Sequence, residues 1–149
     1  MTSANAPALP VPPPPSPEIY RLAVPNTESA PKIARDFVGL LLRRTAHSAL
    51  ADDARLCTSE VVTNVHRHTR TRRIRLDVTV GQLLVMVHVR DDTPFGLPVP
   101  GAGGAEQTHG RGLLLLDSLA VDWGWTIFGG CSPESKAVWF TLAESEQTA

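Results

Sequence analysis

The apolar positions along the chain change period several times, and each change marks an element. From Glu18 to Val24, Ile19, Arg21 and Ala23 alternate with Tyr20, Leu22 and Val24, and Pro25 closes the run. Alternation ending in proline predicts a short edge strand. Thr27 and Pro31 then open a stretch in which Ala30, Ile33, Ala34, Phe37, Val38, Leu41 and Leu42 recur at helical spacing. Ser29 or Thr27 is the expected cap. Gly39 weakens this helix by ~1 kcal/mol relative to alanine.

A second helix is predicted from Ala51 to His68, with Leu50, Ala54, Cys57, Val61 and Val65 as its apolar stripe. Asp52 and Asp53 fall in its first turn, Arg67 and Arg70 in or just past its last, as the helix dipole favours. Alternation returns from Arg73 to Val80, with Ile74, Leu76, Val78 and Val80 on one face, and Gly81-Gln82 makes a tight turn. The next strand, Leu83 to Val89, has an apolar core that predicts burial on both faces.

Residues 92–112 break the pattern. They hold six of the eleven glycines, so they read as a lid or binding loop rather than an element. A helix from Leu113 to Leu119 follows, then strands from Val121 to Phe128 and from Ala137 to Leu142 around a turn with Gly129, Gly130 and Pro133. This order predicts an α+β two-layer sandwich, with helices packed on one face of a mainly antiparallel mixed sheet.

Composition bounds the rest. Seven of thirteen prolines lie in residues 1–17, which are expected to form a disordered tail ahead of one domain, 18–143, and a polar tail, 144–149. A net charge of −1 argues against a general nucleic-acid coat. No apolar run reaches the ~20 residues of a membrane span, and no secretory signal is visible. Cys57 and Cys131 read as two reduced thiols, which fits a cytoplasmic protein.

Three features carry chemistry. Glu60, Asn64 and His68 recur every four residues, on one helical row bordering the apolar stripe. Val89-Arg90-Asp91-Asp92-Thr93-Pro94 ends an apolar strand abruptly in carboxylates, one of which can read an amino group. Gly110-Arg111-Gly112-Leu113 places glycines where a helix begins and free N–H groups suit phosphates. Taken singly, each is more often a solvated helix edge, a turn or a loop.

Together and in this order, these blocks and the closing Val138-Trp139-Phe140 strand resemble the GHKL-type ATP-binding domain of gyrases, heat-shock chaperones, histidine kinases and mismatch-repair proteins. The small size is similar to the short, stand-alone members related to anti-sigma-factor serine kinases. The resemblance covers roughly residues 18–143 and implies the Bergerat-type fold with ATP and Mg²⁺ as cofactors. It implies that Asn64 holds the metal, that Glu60 is the general base and that Asp91 receives the adenine amino group. Thr93, standing where the family has a glycine, is counted among the nucleotide-binding positions. Gly110, Arg111, Gly112 and Leu113 line the phosphates; Arg111 either adds charge there or faces a partner. The last strand departs from the family's hydroxyl-bearing turn at Ser135-Lys136-Ala137.

The implied function is a serine/threonine kinase that phosphorylates a small antagonist protein and sequesters a sigma factor. The alternative is an ATP-binding interaction module with little or no phosphotransfer. Relatives dimerise through the sheet edge or first helix, so a homodimer is also implied. The histidines lack zinc-ligand spacing. Trp123, Trp125 and Trp139 are expected in the core. Five arginines between Arg67 and Arg75, without a helix-turn-helix pattern or stacking aromatics, read as a partner surface or a solvated face.

Overall fold

A computed structural model describes residues 6–13, 15–94 and 114–145. The strands are β1 (Glu18–Pro25), β2 (Arg73–Val80), β3 (Leu84–Asp91), β4 (Asp122–Phe128) and β5 (Ser135–Ala143). The helices are α1 (Ala30–Arg43) and α2 (Ala51–His68), the latter entered through a short 3₁₀ turn, Ser48–Leu50. Residues 114–119 are also helical. The strands form one sheet in the order β1-β2-β3-β5-β4, and all four pairings are antiparallel. The expected α+β sandwich is present, but among the described residues its sheet is antiparallel rather than mixed.

Both long helices lie on one side of the sheet. α1 packs along α2 and over β1 and β2, while α2 reaches β3 and β5. Val38, Leu42, Cys57, Val61, Ile74, Leu76, Val87 and Phe140 interlock in the layer between. Gly39 is buried where α2 crosses; a Cβ there would lie 2.5 Å from Arg55 Cδ. The residue that weakens α1 by propensity thus admits the neighbouring helix.

The N-terminal cap of α1 differs from expectation in its bonding. Ser29 occupies the cap position of α1 but makes no side-chain cap bond; the Ala30 amide donates to the Thr27 carbonyl instead. The start of α2 is likewise uncapped by a side chain, and its first-turn Asp52 and Asp53 complement the dipole.

The expectation that β3 is buried on both faces fails. Val85, Val87, Val89 and Asp91 face the helices and are buried, whereas Met86, His88 and Arg90 alternate onto the opposite face, which is helix-free among the described residues. A run of five apolar residues hides that alternation, because Leu83 belongs to the turn and Leu84 is an exposed strand end. Two tryptophans are also less buried than expected. Trp125 is exposed and Trp139 half-buried, while Trp123 packs against the core and donates from Nε1 to Asp117 Oδ1 at 2.6 Å.

Candidate functional site

The last turns of α2 are fixed to the end of β3 by a chain of polar contacts. His66 Nδ1 donates to Asn26 Oδ1 at 2.7 Å, and Asn26 Nδ2 donates to the Thr71 carbonyl at 2.9 Å. Thr71 Oγ1 in turn accepts from the Asp92 amide at 3.2 Å. Thr69 closes the helix, its amide and hydroxyl both donating to the Val65 carbonyl.

Glu60 and Asn64 lie one turn apart on α2, both half-buried at the border of its core-facing stripe. Neither side chain has a hydrogen bond or ion pair among the described residues. The Asn64 amide oxygen is therefore available to a hard cation, and the Glu60 carboxylate to a proton donor. A single such oxygen suits Mg²⁺, which takes one or two protein ligands and fills its shell with water and phosphate. His68, at the next step of the row, is exposed.

At the β3 end, the period of two separates the adjacent aspartates. Asp91 turns inward and is 1% exposed, while Asp92 turns outward. Asp91 Oδ1 accepts from the Thr93 amide at 2.7 Å and from Lys136 Nζ at 3.1 Å. Lys136 Nζ also donates to the Thr93 carbonyl. The second carboxylate oxygen, Asp91 Oδ2, is buried with no hydrogen-bond partner among the described residues. Burial pushes the Asp91 pKa up; the Thr93 amide and the Lys136 charge oppose that shift, and Asp92 reinforces it.

Lys136 is the residue that sequence reasoning missed as part of this cluster. The β3–β5 register sets it opposite Asp91, and its side chain is 5% exposed. The available signal was a lysine at the start of an apolar strand, where only a buried counter-charge makes a buried ammonium tolerable. Thr93 joins the cluster through its backbone.

The helix pair, Glu60 and Asn64, and the strand-end group, Asp91, Thr93 and Lys136, both belong to the helix side of the sheet. No hydrogen bond joins the two groups among the described residues. Gly110, Arg111, Gly112 and Leu113 lie outside the described residues, as does most of the expected binding loop. Among the described residues, the arrangement offers a buried, unpaired acceptor at one position and an uncommitted carboxylate and amide at another.

The family model described as the histidine kinase-like ATPase domain matches residues 24–141. No curated protein matches the chain.

Proposed function

The chain belongs to the histidine kinase-like ATPase domain family, and from that premise we propose that it binds ATP with Mg²⁺ and phosphorylates a serine or threonine of a small antagonist protein. A sigma factor is its proposed second, sequestered partner. The observation that carries the nucleotide reading is the orphaned Asp91 Oδ2. An unsatisfied buried acceptor costs about 1–3 kcal/mol. The exocyclic amino group of adenine supplies the missing donor.

Asn64 is the proposed metal ligand, and the bound Mg²⁺ supplies charge neutralisation at the phosphates. The backbone N–H groups of Gly110, Arg111 and Gly112, with Leu113 beside them, are the proposed phosphate cradle. Glu60 accepts the proton of the attacking hydroxyl. The substrate oxygen bonds to the γ-phosphorus, the bond from that phosphorus to the ADP oxygen breaks, and ADP leaves.

Titration calorimetry with ATP and GTP, each with and without Mg²⁺, tests the reading. Saturable, Mg²⁺-dependent ATP binding with little GTP binding is expected, because guanine presents an acceptor where adenine presents its amino group. No ATP binding up to millimolar concentration overturns it. ATP binding without phosphotransfer to any antagonist protein would leave the binding module in place of the kinase.

A further inference from the structure

The helix-free face of the sheet carries a cavity of about 510 Å³, whose lining includes Ile19 and Arg21 on β1, Arg75 on β2, His88 and Arg90 on β3, and Phe128 on β4. The β2–β3 register sets Arg75 directly opposite Arg90. Like charges in that relationship destabilise an antiparallel pair. Neither guanidinium has a carboxylate within ion-pair distance among the described residues. Asp77 is the one acid among the described lining residues, and Arg21 already pairs with it at 3.5 Å. Arg90 is held in place: Nε and Nη2 donate to Ser135 Oγ at 3.1 and 3.0 Å, and Cζ lies 4.2 Å from the Phe128 ring centroid. The face thus holds a fixed guanidinium beside a second one, and no carboxylate of the described residues pairs with either.

We propose that this groove docks an acidic segment of a partner protein, one of whose carboxylates sits between Arg75 and Arg90. Other segments of this chain are poor occupants by composition. Residues 1–17 contain no charged side chain, and residues 95–113 contain one acid, Glu106, offset by Arg111. The C-terminal tail carries Glu144 and Glu146, but it leaves β5 beyond Ala143, which pairs with Leu84, whereas Arg90 pairs with Ala137. Those positions lie six steps apart along the strand, about 20 Å. A free phosphate would use the charge but not the apolar flanks of Ile19, Phe128 and Ala137, which suit a peptide's side chains. The inference stands apart from the nucleotide reading, since Asp91 faces the other side of the sheet.

A fluorescein-labelled hexaglutamate peptide tests it by anisotropy on the full chain at low and physiological salt, with hexaglutamine as the neutral control. Amide shift mapping locates the contact. Salt-sensitive binding of hexaglutamate alone is expected, with shifts at Arg75, Thr79, Arg90 and Ala137. Arg75→Gln with Arg90→Gln is expected to weaken it by about tenfold. That double variant should still fold, because relief of the like-charge opposition offsets part of the loss of the Ser135 and Phe128 contacts. Unchanged affinity in the double variant, shifts confined to α2 or the β3 end, or full displacement by inorganic phosphate at matched charge would each overturn the proposal.

Discussion

Lys136 Nζ lies 3.1 Å from Asp91 Oδ1, with both side chains buried, one on each of two neighbouring central strands. This pair changes what a substitution at Asp91 should do. Asp91→Asn deletes an acceptor for adenine, and it also strands a buried ammonium. Breaking a buried pair on one side costs roughly 3–5 kcal/mol. Asp91→Asn alone is therefore expected to melt far below the parent. Asp91→Asn with Lys136→Met should recover most of that stability while still failing to bind ATP. Urea denaturation and calorimetry on the three proteins check this. A double variant that binds ATP like the parent would remove Asp91 from the adenine contact.

The two half-buried side chains of α2 are assigned separable tasks. Glu60→Gln keeps the shape and one acceptor oxygen but cannot take a proton. It is expected to bind ATP normally and to lose about 10²–10⁴-fold in turnover, read as ADP release. Asn64→Ala removes the hard oxygen, so ATP should bind with the same affinity with and without Mg²⁺. Retained Mg²⁺ dependence in that variant would move the metal site elsewhere.

The period of the apolar positions located α1, α2 and β2 closely, because one face of each is packed and the other wet. It failed at β3, where a turn residue and an exposed strand end extend the apolar run. Glu60 and Asn64 were legible as a helical spacing, and Asp91 as an aspartate at a strand's end. Lys136 was not legible as the neighbour of Asp91, because the two stand 45 residues apart and only the strand register brings them together. The same register creates the opposition of Arg75 and Arg90, which reads in sequence as two unrelated charges.

His88, half-buried on the helix-free face, gives the fold a pH dependence of definite sign. Burial lowers its pKa from the ordinary 6.5, and Asp77 only partly restores it. Between that lowered value and 6.5, the unfolded chain holds a proton that the native chain lacks. Stability is thus fully present above about pH 6.5 and is lost as pH falls through this window. The parent should lose more melting temperature between pH 7.5 and 5 than His88→Gln does. Equal losses would show that His88 carries none of the acid sensitivity.

The two cysteines differ enough to report on the packing of α2. Cys57 is fully buried in the helix stripe, and its pKa is pushed up to about 12, first by burial and then by the charges of Asp53 and Glu60. At pH 8 only about one such thiol in ten thousand is ionised. Cys131 is exposed in the turn between β4 and β5. A disulfide-exchange reagent should therefore titrate one thiol per chain within seconds, and the second only as α2 opens. Adding denaturant should bring both to the same rate. Cys57→Ala should leave the fast reaction untouched, and Cys131→Ser should abolish it. Two equally fast thiols in the native protein would mean that α2 does not seal the sheet. The inward position of Asp91 and the burial of Lys136 would then lose their basis, since both depend on that closed layer.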